Sequence, residues 1–243
     1  MPEIHINIHP QVHSSVPTAK ESQPYDFIIV ATKNVPDVPP SLPSIIAPAV
    51  TPSHTVIVLA QNGLNIERPI MDAFPQNAVL SVIVLMGAHE KDAGTVVQDD
   101  KDIMRIGAFR NSNISPDVER AAAEEFVEIY RAAGVAKCEI NVGEAVQYER
   151  WRKLIYNSSF NPICAITGMD TSRLRYAKYA IEELVRPAME EIRATAKAKG
   201  FEIPADAVQG TIDIDPIEVF LKPSMMTDVE KVRYLLLLIR GGR

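Results

Sequence analysis

Lys153, Asn157 and Asn161 recur at intervals of four within Trp151-Arg-Lys-Leu-Ile-Tyr-Asn-Ser-Ser-Phe-Asn-Pro162. On a helix that spacing gathers them into one polar stripe. A stripe of this kind can simply face solvent. Against that, no charged residue occurs from Leu154 to Met169, and asparagine is a poor helix former that a solvent face replaces more cheaply by Glu, Lys or Gln. One cation and two carboxamides in an uncharged helix therefore read as a binding wall. Its chemistry suits a small polar anion or a carbonyl compound. Lysine can bind a carboxylate or protonate an oxygen that gains negative charge, and asparagine amides fix orientation by hydrogen bonds.

Further candidates stand where strands should end. Thr32-Lys33-Asn34 and Gln61-Asn62-Gly63 each follow an apolar run, and in open parallel sheets ligands bind beyond the carboxyl ends of strands. Taken singly, Asn62-Gly63 is also an ordinary turn dipeptide and Lys33 an ordinary surface lysine. Ser224, in Lys222-Pro-Ser-Met-Met-Thr-Asp228, reads as a helix N-cap, a role compatible with ligand contact. His5, His9 and His13 lie four apart, but Ile4, Ile6 and Ile8 alternate as in a strand and Pro10 interrupts any helix. On a strand, His5 and His9 would be ~13 Å apart, too far to share a metal, so no metal site is expected.

The elements that must position these groups follow from hydrophobic pattern. Runs at 26–32, 55–60 and 79–86 are apolar without alternation, the habit of parallel strands buried on both faces. A short helix is expected over 64–74, and the prolines of 35–43 delay any helix to about Ser41. The pattern at 94–109 around Asp99-Asp-Lys-Asp102 suggests an antiparallel hairpin. Ser115-Pro116 opens a helix that runs to Ala133 and stops at Gly134. Beyond 144 no strand is expected, and 144–161, 171–199 and 224–240 read as helical, with a kink at Pro187 and a stop at Gly200. The fold expected is α/β followed by all-α, an incomplete Rossmann-like parallel-sheet domain (1–144) followed by a helical domain (145–243).

Composition narrows the function. The 243 residues are 47% hydrophobic and 23% charged with net charge -6, which describes a soluble globular chain and argues against nucleic-acid binding, since that needs excess Lys and Arg. No apolar run approaches the ~20 residues of a membrane span, and residues 1–5 do not resemble a secretory signal. A cytoplasmic location is expected. Cys138 and Cys164 form no Cys-x-x-Cys and are expected to be reduced. The 11 glycines include no Gly-x-Gly, so a phosphate-cradling loop is absent from this sequence.

Together, Tyr25-Asp-Phe-Ile-Ile-Val-Ala-Thr-Lys33, Gln61-Asn-Gly-Leu64, Trp151-Arg-Lys-Leu154 with Asn157 and Asn161-Pro162, and Pro223-Ser-Met-Met-Thr-Asp228 resemble the ketopantoate reductases (2-dehydropantoate 2-reductases). The resemblance implies NADPH-dependent reduction of 2-dehydropantoate to pantoate, a step toward pantothenate and coenzyme A. It assigns general-acid catalysis to Lys153, substrate binding to Asn157, Asn161 and Ser224, and the cofactor cleft to Lys33 and Asn62. It implies a small 2-oxo acid as partner and is compatible with a homodimer. Two departures follow: the family's glycine-rich unit would precede this sequence, and Leu236 stands where the family has a glutamate that contacts the substrate hydroxyl. Competing expectations are a reductase of another 2-oxo acid, or a chain that binds a metabolite or partner without turnover.

Overall fold

In a computed structural model the described residues are 11–230, apart from 21–22, 93, 99, 135–136 and 178. The first three apolar runs become β1 (Phe27–Val30), β2 (Val56–Leu59) and β3 (Val79–Leu85), paired in parallel. Two more strands, β6 (Ile103–Ala108) and β7 (Lys137–Ile140), complete a sheet of order β1-β2-β3-β6-β7, with β6 antiparallel to β3 and parallel to β7.

Both faces of this sheet are covered at β2 and β3, which explains their unalternating sequences, while Ile29 of edge strand β1 stays 60% exposed. On one face Val58, Leu80, Val82 and Ile106 pack with Ala122, Ala123, Phe126 and Val127 of α3 (Pro116–Ala132). On the other, Ile57, Leu59 and Val79 meet Ile46 of α1 (Leu42–Ile46), Ile70 of α2 (Arg68–Ala73), Phe109 and Val146. Helix α3 begins as expected, with the Ser115 hydroxyl accepting from the Val118 amide at 3.3 Å, Pro116 at the first position, and Asp117 and Glu119 in the first turn. Removing this cap by Ser115→Ala is expected to cost about 1 kcal/mol, read as a lowered urea midpoint.

The helical half comprises α4 (Glu144–Asn157), α5 (Phe160–Thr167), α6 (Thr171–Tyr176), α7 (Arg186–Ala198), α8 (Asp206–Ile212) and α9 (Ser224–Glu230). Its core joins Ile155, Phe160, Cys164, Leu174, Val185, Met189, Ile203, Val208 and Met226. Helix α4 belongs to both cores, with Val146 buried against the sheet and Ile155 in the helical cluster. No helix among the described residues is long and apolar enough to cross a membrane.

Several expectations are corrected. The hairpin forms between β4 (Ala88–Asp92) and β5 (Thr95–Gln98), turning at Gly94 (φ 80°), while β6 joins the main sheet instead of pairing with β5. Apolar Ile103, Met104 and Ile106 gain burial beside β3 that the exposed β5 cannot provide. The expected helix 64–74 is helical only from Arg68, with Pro69 tolerated in its first turn. Segment 144–161 breaks at Ser158–Ser159, where the Ser159 hydroxyl donates to the Ile155 carbonyl at 2.6 Å. Segment 171–199 breaks near Ala177, whose backbone is extended. At Pro187 the irregularity takes the form of a π-helical turn, Ile181–Val185, just ahead of the proline, a usual answer to a missing N–H. Gly200 closes α7 at φ 91°. Strand β7 and helix α8 form where the sequence pattern sets no expectation. Residues 231–240 of the last expected helix, with Leu236, lie outside the described residues, as do His5 and His9.

Candidate functional site

The carboxyl ends of β1, β2 and β3 lie on one side of the sheet because the three strands are parallel. Helix α4 passes over this end and lowers Lys153 toward β3, where its Nζ donates to the Val84 carbonyl at 2.6 Å. Together with Gln61, Asn62, Gly63, Val82, Ile83, Arg150, Leu154 and Asn157, it lines a narrow, solvent-open recess. Asn62, Lys153 and Asn157, separated by up to 95 positions in sequence, thus share one recess.

Burial lowers the Lys153 pKa to about 8, with the nearby Arg150 charge adding to the effect. A charge disfavoured by desolvation is given up more readily, so this ammonium is a proton donor matched to conditions near neutrality. The same shift has a consequence for stability. Below about pH 8 Lys153 is charged in both folded and unfolded chains, and its burial cost is fully felt; between about 8 and the unfolded value the unfolded chain binds more protons, so stability rises with pH. Lys153→Met is therefore expected to stabilise the chain at pH 7 and to lose part of that advantage by pH 10, as measured by paired urea denaturation curves.

Asn161 lies on α5 beyond the helix break, yet its Nδ2 donates to Asn157 Oδ1 at 3.2 Å. The stripe thus crosses the break through a side-chain bond. Asn161 is buried, and its Oδ1 has no partner. Such an orphaned acceptor is costly unless something supplies a donor. It does not line the recess itself. Ser224 is exposed as the first residue of α9, which packs on α5. Because the Pro223 carbonyl receives the Thr227 amide at 3.1 Å, Pro223 occupies the capping position, so the N-cap expected at Ser224 is corrected. Lys33, at the end of β1, is also outside the recess; its Nζ meets Asp228 Oδ2 of α9 at 2.5 Å and ties the two halves together.

Gln61, of the strand-end candidate Gln61-Asn62-Gly63, donates from Nε2 to the Thr32 carbonyl at 2.9 Å, holding the ends of β1 and β2 together, while its buried Oε1 has no partner. One buried group, Arg150, is not singled out by the sequence. Arg150 reaches under the recess, its guanidinium among backbone carbonyls. In sequence it is one charge in Glu149-Arg-Trp-Arg152, and only the apolar Val146 and Leu154 on its helical face could have hinted that it points inward.

Comparison with known sequences decides the family. The sequence pattern described as "Ketopantoate reductase PanE/ApbA" matches residues 3–111, and that described as "Ketopantoate reductase PanE/ApbA C terminal" matches residues 145–235. The chain belongs to the ketopantoate reductase family. An uncharacterized protein of Saccharomyces cerevisiae is 34% identical, with 90% of this chain and 66% of that protein covered. A 2-dehydropantoate 2-reductase of Nostoc is 27% identical over 93% of this chain and 68% of its own length. Among solved structures, the 2-dehydropantoate 2-reductase of Geobacter metallireducens superposes with TM-score 0.73 at 26% identity, covering 90% of this chain and 69% of that one. A D-mandelate dehydrogenase solved with NADH and anilino(oxo)acetate shares the fold, with TM-score 0.72 at 17% identity over 92% of this chain and 67% of that one. The chain spans about two thirds of the length of these relatives.

The parallel-dominated sheet followed by helices is the two-domain arrangement of the family's solved structures.

Proposed function

We propose that the chain provides the substrate-binding and proton-donating part of an NADPH-dependent 2-oxo acid reductase, converting 2-dehydropantoate to pantoate. The observation that carries this reading is Lys153, with its pKa lowered to about 8, in one recess with Asn62 and Asn157 at the carboxyl ends of parallel strands. A sheet half to about residue 144 serves the cofactor side and the helical half the substrate side. A cytoplasmic homodimer is part of the same reading.

The residues present fit one end of the cofactor. No Gly-x-Gly cradle for a pyrophosphate occurs in the 243 residues. Lys33, Asn62 and the unpaired Oε1 of Gln61, at the ends of β1 and β2, suit the polar nicotinamide-ribose end. When bound, NADPH supplies hydride to the carbon of the 2-oxo group. Lys153 holds a proton toward the oxygen on that carbon, where negative charge grows, and the neighbouring carboxamide of Asn157 orients the substrate. Asn161 backs Asn157 through their side-chain bond, and in this reading Asn161 and Ser224, which lie outside the recess itself, complete the substrate-binding set.

The test is NADPH oxidation by the purified chain, followed by absorbance with 2-dehydropantoate and a panel of other 2-oxo acids. Turnover dependent on 2-dehydropantoate is expected. A higher kcat/KM with a 2-oxo acid lacking the hydroxyl would favour the second reading, to which Leu236 in place of a hydroxyl-contacting glutamate points. Absence of turnover with every acid, with retained binding of a 2-oxo acid by calorimetry, would replace the enzyme by a metabolite-binding chain.

A further inference from the structure

Arg150 precedes Lys153 by three residues on α4 and is only 4% exposed. Its Nε donates to Ser81 Oγ at 2.8 Å, its Nη1 to the carbonyls of Gln61 at 3.1 Å and Gly63 at 2.8 Å, and its Nη2 to the Leu59 carbonyl at 3.4 Å. The guanidinium also lies over the Phe109 ring, 5.0 Å from its centroid. Every one of these partners is neutral. Glu67 supplies opposite charge from nearby but is engaged with Gln147, whose Nε2 donates to Glu67 Oε1 at 3.1 Å.

Burying a cation without a contacting carboxylate is unfavourable, and an apolar side chain would join a helix to a sheet at lower cost. What a guanidinium adds is a rigid planar fork that engages several acceptors at once. Here those acceptors are the carbonyls at the end of β2 and in the turn that follows it. That turn contains Gly63 at φ 119°, where any other residue would be strained. It also displays Asn62, exposed at the mouth of the recess that Lys153 lines.

We propose that Arg150 is a positioning residue: its fan of hydrogen bonds fixes the Gln61–Gly63 turn against α4, holding Asn62 and Lys153 at one place in an electropositive corner suited to a carboxylate or similar oxyanion. The identity of that anion rests on the 2-oxo acid reading above; the geometry does not. Besides Lys153 itself, Arg150 is the charged residue lining the recess, and Glu67 stands behind it.

The experiment compares the ligand-free wild-type chain with Arg150→Met and Arg150→Lys by backbone 15N order parameters and by titrating Lys153 through 13C-methyl NMR after reductive methylation. Arg150→Met is expected to lower the order parameters of Asn62 and Gly63 from the rigid range of about 0.85 to below about 0.6 while those of β3 stay high, and to move the Lys153 titration upward from about 8. Arg150→Lys keeps the charge but offers a point donor instead of a fork, so the turn loosens while the Lys153 titration stays low. If the methionine variant does not fold, the lysine variant carries the test. Unchanged order parameters at Asn62 and Gly63 in a folded variant overturn the proposal. So does an equal loss of order over β3 and the turn, which would make Arg150 a residue of global stability alone. These readouts need no substrate, so a failed reductase assay leaves them intact, and their failure leaves the assay intact.

Discussion

Replacing Lys153 by alanine is expected to lower kcat for 2-oxo acid reduction by about 10²–10⁴-fold, the usual contribution of a positioned general acid. The loss should fall on kcat more than on KM, because the proton is needed where charge develops and Asn157 remains to hold the ligand. It should not come from unfolding. The alanine removes a buried cation, and the Val84 carbonyl that receives Lys153 borders a solvent-open recess where water can replace the lost donor. Near-wild-type far-UV circular dichroism and denaturation midpoint are therefore expected beside the collapsed rate. In the wild-type chain the rate should decline as pH rises through about 8, since only the protonated amine can donate. Retention of wild-type kcat by the alanine variant would remove Lys153 from the chemistry.

Gly107→Ala is expected to destabilise the chain by about 3 kcal/mol, seen as a marked drop in urea midpoint. Gly107 lies within β6, opposite Ser81 of β3. A Cβ there would stand 2.3 Å from the Asn141 carbonyl oxygen and 2.7 Å from Val146 Cγ2. The first neighbour is backbone, and Asn141 is itself bound to the Ile106 carbonyl through its amide at 2.6 Å. The connection from β7 to α4 would have to move outward. Since α4 also carries Arg150 and Lys153, any residual activity of the folded variant should fall with its stability. A midpoint within experimental error of wild type would show that the close approach relaxes without cost.

The parts most legible in sequence were those in which local pattern and final environment agree. The runs at 26–32, 55–60 and 79–86 form parallel strands because each is apolar on both faces, a pattern that matches the helix-covered β2 and β3 and, at edge strand β1, leaves Ile29 60% exposed. Ser115-Pro116 started α3 because cap and proline act through their immediate neighbours. The hairpin's partner strand is not legible because β5 alternates weakly and stays largely exposed, and such strands specify register poorly. Strand β7, four residues with Lys137 and Glu139 at a sheet edge, carries too little apolar pattern to announce itself. At the site, Lys153 and Asn157 were readable from their spacing, whereas Arg150 was not, because its acceptors lie 69 to 91 positions earlier.

The double membership of α4 restricts how the chain can be cut and recombined. A division at residue 144 follows the change from strands to helices, but it would strip Val146 from the sheet-side cluster and expose it on the other piece. Arg150 would leave its carbonyl partners in the same cut. An exchange of halves with a relative must therefore carry the inner surface of α4 together with the sheet it fits, and two pieces expressed separately are expected to recover order only when mixed.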